Sequence, residues 1–130
     1  CEMCIRDRFR FVDEAEFLGI GATADANLDS IGWSGGNTTL EILWHDTPTV
    51  TLPGELMRSR HTVAMLRILE LPQLIARDHD DYVRIAVELG RSPGLRAELR
   101  GLIAERKHRL YDDPRVGPAF AAFAEGVARG

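Results

Sequence analysis

The residues best suited to chemistry lie in one stretch. Ala24-Asp25-Ala26-Asn27-Leu28-Asp29 is followed by Gly32-Trp33-Ser34-Gly35-Gly36-Asn37-Thr38-Thr39-Leu40-Glu41. This reads as a strand, a glycine-rich loop and the start of a helix. A helix start leaves about four backbone N–H groups without intrahelical partners and carries partial positive charge. Glycine at positions 35 and 36 lets an anion approach the backbone closely, and Thr38 and Thr39 add hydroxyl donors. Such an assembly suits a phosphate or diphosphate. The same residues admit a plainer reading. Thr38-x-x-Glu41 has the form of a capping box, in which each side chain satisfies the other's backbone N–H, and glycines commonly serve only a turn. The stretch is neither a G-x-G-x-x-G nor a Walker motif, and residue types alone leave both readings open.

Other candidates are weaker. Pro53-Gly54-Glu55 ends a strand at the same sheet edge and serves either a ligand or a turn. Arg58 and Arg60 could offset phosphate charge, although a solvated helix face is the simpler expectation. His45, His61, His79 and His108 are scattered and read as surface or helix-end residues, with no Ser or Cys nucleophile nearby to build a triad. Asp78-x-Asp80-Asp81 has the look of a metal-binding Asp-x-Asp, but it reads better as the acidic start of a helix. Trp33 suits either stacking or a loop cover, and Trp44 is expected in the core. Arg106-Lys107-His108-Arg109 reads as a cation cluster near a helix C-terminus. Cys1-x-x-Cys4 lacks two further ligands for zinc and a preceding strand for redox work, and is read as accidental.

The elements that would position these residues alternate. Short strands are expected over Arg8–Val12, Ala26–Ile31, Thr47–Leu52 and Leu74–Ala76. Between them fall a helix capped by Asp13, a helix over Asn37–Asp46, and another from about Arg58 to Leu69. That order argues for βαβ units and a parallel sheet. The second half is helical. Tyr82, Ile85, Ala86 and Leu89 share a face in a helix ending at Gly90, and Ser92 with Pro93 opens the next. Leu95, Leu99, Leu102, Ile103 and Leu110 form its stripe, and Val116, Phe120, Phe123 and Val127 that of a last helix. Both stripes are expected to pack into the core.

The block from Ala24 to Asp29, with Gly35-Gly36-Asn37-Thr38-Thr39-Leu40-Glu41, Leu43-Trp44, Thr47-Pro48-x-Val50-Thr51-Leu52-Pro53-Gly54-Glu55 and Ser59-Arg60, resembles the C-terminal catalytic lobe of the O-linked N-acetylglucosamine transferase / SPINDLY family. The likeness continues through Asp81-Tyr82-Val83 and Ala86 to Gly90, and covers roughly residues 9–125. It implies the Rossmann-like C-terminal half of a GT-B glycosyltransferase, an α/β fold with a small parallel sheet flanked by helices and a helical C-terminal segment. It further implies a donor diphosphate site at Gly35, Gly36, Asn37, Thr38 and Thr39, and Glu41 on the ribose hydroxyls. The reaction it implies needs no metal or other cofactor. A UDP-sugar, UDP-N-acetylglucosamine by the resemblance, would be the donor, and Ser or Thr of proteins the acceptor, bound through upstream tetratricopeptide repeats. Catalytic residues of the acceptor side would lie in an N-terminal lobe outside this chain. The sequence departs from animal members at three places: Gly36 stands where they carry a loop His, and Glu14 and Phe17 where they carry a Lys and a His. Bacterial members share the Gly-Gly-Asn-Thr-Thr form.

A length of 130 residues with 45% hydrophobic content suits one domain with a single core. The net charge of −4 gives no general attraction to nucleic acid or anionic membrane, and no apolar run nears the roughly 20 residues of a membrane span. No nucleic-acid or membrane partner is therefore expected. With no cysteine after Cys4, the chain fits a reducing cytoplasm. Residues 1–8 begin without an initiator Met and are expected to be non-native, leaving 9–130 as the partial donor-binding domain. Two other functions stay open at this point. One is a different GT-B enzyme, acting on small molecules or epimerising a UDP-sugar. The other is a non-catalytic nucleotide-binding scaffold.

Overall fold

Asp13 opens the part of the chain that a computed structural model describes, residues 13–129. The strand expected over Arg8–Val12 and the Cys1-x-x-Cys4 pair lie outside the described residues. Asp13 caps the first helix, α1 (Glu14–Thr23), its carboxylate accepting from the Glu16 amide at 2.8 Å. The chain then enters β1 (Asn27–Leu28), helix α2 (Asn37–Trp44) and β2 (Thr49–Val50). β1 and β2 pair in parallel, Asn27 opposite Thr49 and Leu28 opposite Val50.

Both strands are shorter than expected. After Leu28 the backbone turns away, and Gly32 takes φ +87°, a left-handed conformation that glycine adopts without penalty. The expected fourth strand is a single parallel bridge between Thr51 and Ile75. Two bonds make it: Thr51 N–H donates to Leu74 O at 3.1 Å, and Ala76 N–H to Thr51 O at 2.8 Å. Leu74 itself belongs to a 3-10 turn, Pro72–Leu74. The helix expected over Arg58–Leu69 is split into a 3-10 turn, Met57–Ser59, and α3 (His61–Ile68).

Helices α4 (His79–Arg91) and α5 (Pro93–Arg106) pack on the sheet and on each other. Gly90 does not end α4. The break falls at Ser92, because a residue preceding proline is pushed out of the helical region. Ser92 then caps α5, accepting from the Leu95 amide at 3.3 Å. Leu43, Val50, Leu66, Leu89, Leu99 and Ile103 meet in the core without solvent contact beyond 1%. Leu110 lies on a separate short helix, α6 (His108–Tyr111), and still packs against that core.

Two core expectations fail. On α7 (Val116–Arg129), Val116, Phe120, Phe123 and Val127 are 65–71% exposed, since no described element lies against that face. Trp44 is 55% exposed. Its ring meets the edge of Tyr111 at 5.2 Å and the Lys107 ammonium at 5.2 Å.

The basic cluster serves other helices more than its own. Lys107 donates to Trp44 O at 2.7 Å, at the C-terminus of α2. Arg106 donates to Leu69 O at 3.1 Å, at the C-terminus of α3, where Arg109 also pairs with Glu70 at 2.9 Å. Cations at these ends answer the unpaired carbonyls and the negative pole. They also offset the left-handed backbone of Asp46 (φ 63°) and Glu70 (φ 57°), which close the two helices. Among the described residues no helix is long and apolar enough to cross a membrane.

Asp78 caps α4, accepting from the Asp81 amide at 2.8 Å, as its acidic start suggested. The Asp81 carboxylate is buried and accepts from Arg77 Nε at 3.0 Å and Arg84 Nη2 at 2.7 Å. The hydrogen bond from Arg77, then that from Arg84, holds its carboxyl well below the usual carboxylate range. A carboxyl depressed by folding stabilises the fold above its unfolded value and loses that contribution as pH falls toward the folded one. Asp81→Asn should therefore lower the thermal midpoint at neutral pH, and its deficit should narrow below about pH 4. Melting curves from neutral to strongly acid pH check this. A deficit that does not change with pH would remove the ionic origin.

Candidate functional site

The carboxyl ends of β1 and β2 lead into two loops, residues 29–36 and 53–60. The Ser34 amide stitches them together by donating to Arg58 O at 2.8 Å. Asp29, the first residue after β1, is buried and acts as the anchor. One carboxylate oxygen accepts from the Gly35 amide at 2.8 Å, and the other from the Thr51 hydroxyl at 2.7 Å. The Asp29 carbonyl accepts from the Tyr82 hydroxyl at 2.8 Å, which ties the loop to α4. Burial, and then the Asp29 charge, pushes the Tyr82 phenol above its ordinary value.

A buried knot of hydroxyls lies under the loop. Ser34 Oγ donates to Thr62 Oγ1 at 2.8 Å and accepts from the Thr62 amide at 2.9 Å. Thr39 Oγ1 lies 3.2 Å from Thr62 Oγ1. Thr39 is 2% exposed, so its hydroxyl braces the helix start from inside and does not face solvent. Asn37 and Thr38 are exposed.

The capping-box reading is not realised. The N-cap of α2 is Gly36, which has no side chain, and Thr38 is already the second helical residue. Among the described residues no protein acceptor meets the amides of Asn37, Thr38 and Thr39. Beside this helix start lies a cleft of about 180 Å³ lined by Phe17, Asn27, Asp29, Ser30, Gly35 and Thr38. Glu41 lies one turn further along α2 and lines a neighbouring cleft of about 400 Å³ with Leu18, Trp44 and Tyr111. The structure thus gathers Gly35, Gly36, Asn37, Thr38 and Thr39 at one helix start, with Glu41 on the adjoining surface. Phe17 presents an aromatic ring to the cleft, and Glu14 stands exposed on the first turn of α1.

The remaining candidates frame this edge or lie away from it. The Arg58 guanidinium sits 5.4 Å from the Trp33 ring, so these two side chains satisfy each other on the rim. Gly54 packs tightly: a methyl carbon there would lie 2.5 Å from Ser59 Oγ, which favours the turn reading of Pro53-Gly54-Glu55. All four histidines flank helix ends, His45 closing α2 and His61, His79 and His108 opening α3, α4 and α6. Among the described residues no group of three or more His, Cys, Asp or Glu is placed to hold a metal ion.

Sequence reasoning missed Thr62 and Tyr82 as supports of the loop, and quoted Asp29, Ser34 and Thr51 without a structural role. For Asp29 a signal exists: an acid at the end of a strand, just before glycines, can bind the returning loop. Thr62 carries none, because it reaches the loop across 28 positions of sequence.

The model of Glycosyl transferase family 41 matches residues 10–112 of this chain. The chain belongs to glycosyl transferase family 41. Among relatives, it is 37% identical over 99 residues to a UDP-N-acetylglucosamine–peptide N-acetylglucosaminyltransferase of Caenorhabditis elegans, covering 75% of this chain and 9% of that protein. It is 33% identical over 110 residues to a probable transferase of that name, SPINDLY, of Arabidopsis thaliana, covering 81% and 11%. A solved mutant O-GlcNAc transferase of Thermobaculum terrenum superposes with a TM-score of 0.73 at 33% identity, over 91% of this chain and 22% of that one. The expected family and the α/β, GT-B type of fold are thereby shown. This family 41 chain spans about a tenth of the length of the curated relatives it matches.

Proposed function

We propose that this family 41 chain is the donor-binding part of a protein O-glycosyltransferase, holding the diphosphate of UDP-N-acetylglucosamine at the start of α2. One observation carries the reading: the first amides of α2 have no protein cap, yet Asp29 and the Ser34–Thr39–Thr62 knot fix them at the carboxyl edge of a parallel sheet. That edge is where open α/β sheets bind ligands. Amides already aimed at the phosphates need no reorganisation when negative charge grows on the leaving diphosphate, so they favour the transition state over the ground state. The Thr38 hydroxyl is exposed at the same place and adds a donor. The diphosphate lies against the backbone of Gly36 to Thr38, and the ribose extends along α2 toward Glu41, which lines the adjoining cleft and whose carboxylate can accept from its hydroxyls. The acceptor side, upstream repeats, a metal-independent reaction and a cytoplasmic setting belong to the same proposal, which makes residues 9–130 the partial donor domain.

Titration calorimetry of the chain with UDP tests this. Saturable heat is expected, weakening as salt rises because the contacts are charged. Heat no greater than dilution would remove the reading. The isolated chain should transfer no sugar to a peptide, and transfer by residues 1–130 alone would overturn the division of labour between lobes.

A further inference from the structure

A second helix start meets the glycine-rich loop. Helix α3 begins at His61, and its next amide, that of Thr62, donates to Ser34 Oγ at 2.9 Å. This tie brings the His61 ring beside Gly36. A side-chain carbon at position 36 would lie 3.9 Å from His61 Nδ1, so the imidazole borders the space that a side chain at Gly36 would otherwise occupy. The ring is half-buried, and among the described residues it makes no hydrogen bond. It also lines a cleft of about 470 Å³ with Glu55, Met57, Arg60 and Arg67. Arg60, the N-cap of α3, and Arg67 make that wall more basic than acidic.

We infer that His61 is a donor-binding residue: its imidazole donates a hydrogen bond to a diphosphate oxygen of the nucleotide sugar beside Gly36. The inference rests on the reading of the α2 start as the diphosphate site. It adds a side chain from α3, an element that sequence alone left with a helix-end histidine. Four physical facts support it. The imidazole adjoins the bare Gly36 backbone. It carries an N–H donor whether neutral or protonated. No described protein group occupies that donor. The next residue's amide, that of Thr62, is pinned to the same loop that carries the amides, which keeps the start of α3 beside them. A hydrogen bond from such a group to a phosphate is charge-assisted and stronger than a neutral one.

The test uses the whole chain with UDP and uridine as probes, followed by ligand-observed NMR so that weak binding is measurable. His61→Ala should weaken UDP about tenfold while changing uridine by less than about twofold. His61→Asn, which keeps an N–H donor, should recover part of the UDP affinity. Thermal melts of both variants establish that the fold is intact. UDP affinity unchanged in His61→Ala would overturn the inference while leaving the α2 site standing. Equal losses for UDP and uridine would make His61 a packing residue. If the unaltered chain binds no UDP, the underlying site fails as well, and the two failures are told apart by that first titration.

Discussion

Asp29→Ala should cost about 2–4 kcal/mol of stability and remove most UDP affinity. The carboxylate is 5% exposed and accepts from two donors that come from different parts of the chain, the Gly35 amide and the Thr51 hydroxyl. Alanine leaves both without a protein acceptor, and an unsatisfied buried donor costs about 1–3 kcal/mol. Set against a typical domain stability of about 5–15 kcal/mol, that is a large share. Function should suffer more than stability. The Gly35 bond fixes the loop that leads directly into α2, so its loss frees the amides to wander, and preorganisation is what gives them value. Asp29→Asn offers a graded comparison. Its amide oxygen can still accept from Gly35 N–H, and its NH₂ can donate to Thr51 Oγ1 once that hydroxyl turns. Denaturant unfolding and UDP titration on the three proteins should rank them parent, Asn, Ala on both measures. An Ala variant as stable and as tight as the parent would show that Asp29 anchors nothing.

How much of this was legible in the sequence depends on the range of each interaction. Asp13, Asp78 and Ser92 cap helices through amides three residues away, and each was readable. The order of strands and helices followed from the same local signals, as did the glycine loop opening α2. Strand lengths did not. A β-branched run such as Thr47–Leu52 marks a buried extended segment, but only partners decide how much of it pairs, and here just Thr49 and Val50 form a ladder. Apolar stripes on α5 and α7 look alike in sequence. Leu99 and Ile103 are buried by α4 and the sheet, whereas Phe120 and Phe123 face no described element. The family strings pointed to the glycine loop and the start of α2, and yet they said nothing of Thr39 turning inward or of Thr62 beneath it. Those depend on α3 folding back against the loop, which is tertiary information. The capping box failed for a related reason: Thr38 has the right type and spacing, but the helix starts two residues too early for it to serve as the cap.

The two loop glycines should respond very differently to the same one-carbon change. A methyl carbon at Gly35 would lie 2.4 Å from Thr39 Oγ1 and 3.0 Å from Thr38 Oγ1. Thr39 cannot swing aside cheaply, since it is buried, its hydroxyl meets Thr62, and a β-branched side chain in a helix has few rotamers. The loop backbone must move instead, at about 1–3 kcal/mol, and the Gly35–Asp29 bond moves with it. Gly35→Ala should therefore lower the melting temperature and weaken UDP about tenfold or more. At Gly36 the same methyl meets only His61 Nδ1, at an ordinary contact distance of 3.9 Å. Gly36→Ala should change stability by no more than about 0.5–1 kcal/mol. That methyl meets no other described group, so UDP affinity should change far less than in Gly35→Ala. Paired melts and UDP titrations read both effects at once. A Gly35→Ala chain that binds UDP as tightly as the parent would move the diphosphate away from the helix start, however well the chain folds.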